Sequence, residues 1–269
     1  MFRGCQTHPK IGAQELHFQP CMEGPTLLIL KEAATPFMGQ IIKEATGTQK
    51  LNFDRITGQK ITDLQHWGKH FLIVLEDCTI RIHYLMFGHY YINSRHPQRE
   101  PKLSLHFKNG EWNNYLCAAK IIEGTDVLNW YDWTVDVMSD EWDPAGAKKK
   151  LKAAPHLMVC DALMDQAVFA GVGNVIKVEA LHRCGIHPED LLGNLSPKQI
   201  AAITAEARTY SFDFYRWEVE GVRRKKYCVY RRARCPHCGS RVEKRFTGVT
   251  PRSSFWCPQC QPLKTAALS

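Results

Sequence analysis

Hydrophobic and polar positions change period along the chain, and each change predicts an element. Leu27, Leu28, Leu30, Ala33, Ala34 and Phe37 recur at helical spacing behind Glu23-Gly24-Pro25, which predicts a helix with Pro25 at its first position, where a missing N–H costs nothing. Before it, residues 1–21 are polar and broken by Pro9, Gly12 and Pro20, as a disordered leader would be. From Leu51 to Leu105 the pattern turns to strands. Phe71 to Leu75, a turn at Glu76-Asp77 and Thr79 to Tyr84 predict a hairpin with Lys69 at its mouth and Leu85-Met86-Phe87-Gly88 at its end. Leu103 to Phe107, Asn109-Gly110 and the run from Trp112 predict another, because Asn-Gly supplies the positive φ angles of a tight hairpin turn. Strands at this density predict a β-sandwich or barrel.

Past Asp143 the pattern changes again. Asp143-Pro144-Ala145-Gly146-Ala147 followed by Lys148-Lys149-Lys150-Leu151-Lys152 reads as a basic linker over 143–152. Leu163, Met164, Ala167, Val168 and Ala170 then fit one helix face, Gly171-Val172-Gly173-Asn174 interrupts it, and Val175, Val178, Ala180 and Leu181 resume it. After a turn at Gly185 to Pro188, Ser196-Pro197-Lys198-Gln199 forms a capping box ahead of Ile200, Ile203 and Ala207. At the glycine turn, Gly171 and Gly173 permit close backbone approach and the next helix begins with outward N–H groups, a setting for phosphate oxygens to which Asn174 adds an amide. So short a pattern is weak on its own.

The strongest chemical signal is Cys235-Pro236-His237-Cys238 answered, after eighteen residues, by Cys257-Pro258-Gln259-Cys260. Two such knuckles turn four sulfurs toward one point, the arrangement that a structural Zn²⁺ prefers. Two disulfides or four unrelated thiols are the alternatives. Between the knuckles, β-forming residues flank Thr247-Gly248, which predicts a metal-stapled hairpin presenting Arg252, Ser253 and Ser254. Arg223-Arg224-Lys225-Lys226 and Arg231-Arg232-Ala233-Arg234 enclose Tyr227 and Tyr230 just upstream. Charge runs are usually solvated faces, but a basic stem leading into a metal ribbon points to nucleic acid.

Composition narrows the classes. A net charge of +8 and a pI near 8.9 favour a polyanionic partner, and 44% hydrophobic content suffices for a sizeable core. No apolar run approaches the length of a membrane-spanning helix. Seven of the eleven cysteines lie outside the knuckles without framework spacing, so a reducing compartment, cytoplasmic and not secreted, is expected. Histidines 83, 89, 106 and 156 share no metal-ligand spacing and read as structural or surface groups.

Gln166 to Asn174, followed by Glu179-Ala180-Leu181 and Gly185-Ile186-His187-Pro188, resembles the helix–two-turn–helix module of the formamidopyrimidine-DNA glycosylase and endonuclease VIII family. Met22-Glu23-Gly24-Pro25 is similar to the family's Pro-Glu-Gly-Pro opening, and the resemblance runs from about Met22 to Gln261. It implies an α+β fold: a leader over 1–21, an N-terminal β-sandwich over 22–142, the linker over 143–152, the helix–two-turn–helix domain over 153–222, and a stem with zinc hairpin over 223–269. It also implies that Lys69, Asn174 and Arg252 grip DNA phosphates, that Cys235, Cys238, Cys257 and Cys260 bind one structural zinc, and that Leu85, Met86 and Phe87 fill the gap left by a flipped base. The implied partner is double-stranded DNA carrying oxidised or abasic lesions, bound by a monomer. Tyr115 to Lys120 lacks the Arg-Arg-Phe-Gly element of the oxidised-purine branch, so the endonuclease VIII-like branch and oxidised pyrimidines are favoured.

One departure bears on catalysis. The family's nucleophile is the secondary amine of an N-terminal proline, whereas Met22 stands at that position, and within the numbered chain its nitrogen is an amide without a usable lone pair. A start of translation at Met22, or cleavage before it, would free an α-amine with pKa of about 7.7–8.0, about 10% neutral at pH 7 and able to form an imine. Glu23 would then be the general acid/base. Lys69 is a substitute nucleophile. Three functions follow: a glycosylase with abasic-site lyase activity, a reader of damaged or abasic DNA that has lost the covalent step, and a monofunctional glycosylase in which Glu23 activates water.

Overall fold

The computed structural model describes residues 22–264, so the expected leader lies outside the described residues. Helix α1 (Gly24–Ala34) starts where Glu23 donates its N–H to Thr26 Oγ1 at 3.0 Å. Leu27, Leu30 and Ala34 of α1 enter one core and Leu28 packs against a second, so the helix lies between them.

The first core is covered by six antiparallel strands: β1 (Glu44–Thr46), β2 (Asp63–Trp67), β3 (His70–Val74), β4 (Cys78–Ile92), β5 (Leu103–Phe107) and β6 (Gly110–Glu123), in the order β1-β5-β6-β4-β3-β2. Both expected hairpins form. β4 and β6 are much longer than the alternation suggests, pairing from Cys78 opposite Glu123 to Ile92 opposite Trp112, with the register broken between Tyr84 and His89. β3 covers one end of this ribbon and β5 the other. In a flat sheet Phe71, aligned through Ile82 with Ala119, would lie about 23 Å from Trp112 at about 3.3 Å per residue. Their rings are 5.4 Å apart, edge to face. The ribbon therefore folds over on itself, and a sandwich arises from strands shared by both layers.

The second core is helical. Residues 143–152 are a correction to the expected linker: Asp143 caps α2 (Pro144–Lys152) by accepting the Ala145 N–H at 2.9 Å, and Ala147 and Leu151 are buried. The lysine run is the outer face of this helix, and its charge masked an apolar stripe of only two residues. The expected helix through Leu163 to Ala170 is also corrected. Only α3 (Val159–Ala162) is helical there, because the Ala170 N–H pairs with the Val135 carbonyl at 2.8 Å and the Gln166 amide satisfies the carbonyls of Met164 and Val172. Leu163, Phe169 and Ala170 are buried all the same, as turns rather than helix. Then come α4 (Asn174–Arg183) and α5 (Pro197–Val219), the latter with the expected Ser196/Gln199 capping box.

The stem is held by Glu179 of α4, whose buried carboxylate accepts the N–H groups of Cys228, Val229 and Tyr230 at 2.8, 3.0 and 2.7 Å. Part of its positive charge faces inward. Arg223 is buried, paired with Glu218 and stacked over Phe214, and Arg232 donates to the carbonyls of Arg224, Lys225 and Tyr227. The chain ends in the hairpin β7 (Glu243–Thr247) and β8 (Arg252–Trp256), packed on Val178 of α4. Among the described residues, no helix is long and apolar enough to cross a membrane.

Candidate active site and nucleic-acid interface

The glycine turn packs against the start of α1. Gly24 donates its N–H to the Gly171 carbonyl at 2.9 Å, and Gly171 has the left-handed φ of +93° that favours glycine. A Cβ on Gly173 would fall 2.4 Å from Glu23 Cδ, so the absent side chain is the space that Glu23 occupies. The Glu23 carboxylate, 3% exposed, accepts the N–H of Val175 at 2.9 Å and of Ile176 at 3.3 Å. A carboxylate on these otherwise unpaired donors is favoured by the helix dipole. Glu23 thus caps a helix in the other half of the molecule. Met22, just before it, is half-buried against the sheet core.

Lys69 reaches the same seam from the sheet. Its neighbour Gly68 donates its N–H to Asp136 Oδ2 at 2.8 Å, while Asp136 Oδ1 accepts from Met138 N at 2.8 Å. Burial raises the Asp136 carboxyl to about 6, against the lowering effect of those two bonds. Beside Lys69, burial together with Arg81 and His83 lowers His70 to about 4, so its ring is neutral, in contact with Tyr131 Oη at 3.2 Å.

On the far side of the turn, Asn174 donates one amide N–H to the Ser253 carbonyl at 2.9 Å, which leaves its second for a ligand. This contact brings exposed Arg252 alongside the first turn of α4. Lys69, Met22, Glu23, Asn174 and Arg252 therefore follow one seam between the two cores.

The expected wedge belongs to the sheet. Leu85, Met86 and Phe87 lie in the irregular stretch of β4, 50, 68 and 56% exposed, with Phe87 at a φ of +69°. His89 Nδ1 donates to the Phe87 carbonyl at 2.9 Å, and the ring stacks on Tyr115 at 5.1 Å.

The four knuckle cysteines converge. Sulfur separations of 3.8 Å (Cys235 to Cys260), 3.3 Å (Cys238 to Cys257) and 3.6 Å (Cys238 to Cys260) are too long for disulfides. They match the edge of about 3.8 Å of a tetrahedron with metal–sulfur bonds of about 2.3 Å. The residues present therefore fit a four-thiolate metal site.

Two separate models describe the chain. That of the formamidopyrimidine-DNA glycosylase N-terminal domain matches residues 22–118, and that of the same enzyme's H2TH domain matches residues 134–210. The chain belongs to the formamidopyrimidine-DNA glycosylase and endonuclease VIII family. Within this family it is 29% identical over 212 residues to Endonuclease 8-like 3 of Mus musculus, an alignment covering 76% of this chain and 35% of that protein. It is 33% identical over 165 residues to Endonuclease 8-like 2 of Mus musculus, covering 60% of this chain and 48% of that one. These relatives belong to the endonuclease VIII-like branch. The chain spans about a third of the length of the Endonuclease 8-like 3 relatives it matches. Its fold is that of the crystal structure of Lactococcus lactis formamido-pyrimidine DNA glycosylase non-covalently bound to an AP site containing DNA, with a TM-score of 0.79 at 21% identity, over 89% of this chain and 99% of that one.

Sequence reasoning missed Asp136 and Lys177. Asp136 lies between Val135 and Val137, an acid in an apolar run. Lys177 follows Asn174 by three positions and precedes Leu181 by four, so a charged residue shares a helix face with buried ones.

Proposed function

We propose that this chain excises oxidised bases from DNA, pyrimidines foremost, and then cleaves the abasic site. The observation that carries the reading is the seam, where the Met22-Glu23 opening, the glycine turn, Lys69 and the Asn174–Arg252 face meet. Lys69, Asn174 and Arg252 hold phosphates around the lesion, and Leu85, Met86 and Phe87 enter the stack in place of the flipped nucleotide, offsetting the few kcal/mol of lost stacking and pairing. The α-amine of Met22, once free, attacks C1′ and the bond from C1′ to the base breaks. The Glu23 carboxylate takes a proton from the attacking amine and passes it to the sugar ring oxygen as the ring opens to an imine, and loss of a C2′ proton then eliminates the 3′ phosphate. The preference for pyrimidines is supported by the absence of an Arg-Arg-Phe-Gly element in Tyr115 to Lys120. Cys235, Cys238, Cys257 and Cys260 would hold one Zn²⁺, whose role is to fix the hairpin rather than to act on substrate.

One observation favours a second reading, a protein that binds damaged or abasic DNA without the covalent step: within residues 1–269 the Met22 nitrogen is an amide. Borohydride trapping on a duplex with one abasic site separates the two. A covalent band with residues 22–269 but not with 1–269 assigns the nucleophile to the Met22 amine. Tight binding with no band from either protein supports the second reading.

A further inference from the structure

Lys177 is 1% exposed, and no other lysine among the described residues is buried. Its place is unfavourable twice over. An ammonium loses hydration on burial, and in the first turn of α4 it meets the positive end of the helix dipole. The one hydrogen bond it makes is to a neutral group, Ser254 Oγ in β8, at 3.0 Å. Ser254 Oγ lies 2.6 Å from Thr247 Oγ1 in β7, and Thr247 is hydrogen-bonded in turn to the Cys160 thiol of α3. An ammonium only donates, so Ser254 Oγ accepts from Lys177, and either hydroxyl can donate in the Ser254–Thr247 contact. The contacts run from the helix through both hairpin strands. Just before Ser254 in the chain sit the ligand-facing groups: Asn174 holds the Ser253 carbonyl, and Arg252 precedes Ser253.

We propose that Lys177 is a positioning residue, whose buried ammonium locks the hairpin to α4 so that Arg252 and the helix N-terminus face the same DNA phosphate. The inference rests on the reading of the Asn174–Arg252 face as a phosphate site. Position and cost support it together: one hydrogen bond to a neutral hydroxyl offsets the burial only in part, and an anion bound beside Arg252 complements the charge. The charged and titratable groups around it are Glu23 from the α1 side, Cys160 and Asp161 from α3, and Arg252 from β8. Burial lowers its pKa to about 8, with Arg252 adding to the effect and Cys160, Asp161 and Glu23 opposing it. DNA binding favours the charged form, so the contribution is full below about pH 8 and declines as pH rises above it.

The test uses the metal-loaded chain 1–269, in which the Met22 amine cannot titrate, and a labelled duplex with one tetrahydrofuran abasic analogue. Affinity is measured from pH 6.5 to 9.5 at fixed salt for the wild type, Lys177→Met and Arg252→Ala, with melting temperatures alongside. Lys177→Met should bind about tenfold more weakly at pH 7 while melting no lower than the wild type, and the gap should close above pH 8. Wild-type affinity in Lys177→Met at pH 7, with Arg252→Ala weakened, overturns the proposal and leaves the phosphate site standing. A lower melting point with unchanged affinity also overturns it, since that is a purely structural lysine. Unchanged binding by Arg252→Ala sinks the phosphate site itself, and the proposal with it. Should Lys177→Met not fold, the wild-type profile decides: a fall above pH 8 supports the proposal and a flat profile overturns it.

Discussion

The Glu23 carboxylate accepts the N–H of Val175 at 2.9 Å across 152 residues of sequence. The residue proposed to move protons is thus also the cap of a helix in the opposite half. Glu23→Gln should separate the two roles. Its amide can accept only through one oxygen and would turn an NH₂ toward a helix N–H, so stability should fall by about 1–3 kcal/mol. Base excision under single turnover should fall about 10²- to 10⁴-fold. Binding to an abasic duplex should survive, and its loss would argue that Glu23 only holds the seam together.

A second expectation concerns the wedge. A Cβ on Gly88 would lie 2.8 Å from both the Leu116 carbonyl oxygen and Tyr84 Cβ, so Gly88→Ala must shift the irregular stretch that presents Leu85, Met86 and Phe87. Excision of a paired oxidised base, which has to be flipped, should slow severalfold or more. Cleavage of a preformed abasic site should change little, because there is no base to displace. Equal losses in both assays would remove the wedge role.

Much of this was legible in the sequence, and for physical reasons. Asn109-Gly110 and the Ser196/Gln199 box are local signals, and local chemistry decides them. The knuckles were legible because four thiolates at that spacing have few other uses. Residues 163–170 misled because burial alone produces an apolar pattern, whatever the backbone does, and here the backbone pairs with Val135 instead of itself. The length of β4 was hidden by its exposed middle, where Leu85 to Phe87 break the alternation without ending the strand. Asp136 and Lys177 stand out only as charges at apolar positions, and their partners, Gly68 and Ser254, are 68 and 77 residues away and so left no local pattern.

Asp136 leads to a prediction about pH. Its folded-state pKa of about 6 lies above the value near 3.8 of a free carboxyl, so the native state binds the extra proton between those limits. The stabilisation is present in full below about pH 4 and lost as pH rises through 6. Relative to Asp136→Asn, which does not titrate, the wild type should gain about 2–3 kcal/mol between pH 8 and pH 4 in urea unfolding. A constant difference would show that Asp136 is ionised throughout. The same variant disturbs the acceptor pair for Gly68 and Met138, so Lys69 should be displaced and affinity for abasic DNA reduced.

Metal removal supplies a further check. Freshly purified protein should carry one zinc, and a strong chelator should release it with loss of DNA binding, while the sheet core, which shares no residue with the knuckles, keeps its near-ultraviolet signal. Binding that persists in fully metal-free protein would show that the hairpin is held by Asn174 and Lys177 alone.

The cap that Glu23 places on α4 is made entirely of groups belonging to this chain. In the proposed function the carboxylate is therefore held by backbone N–H groups of the fold, and none of the free energy released on gripping the duplex is needed to build it. That energy remains for deforming the DNA, the step a paired lesion demands and an abasic one largely spares. Under that proposal, discrimination belongs to how readily each nucleotide leaves the helix.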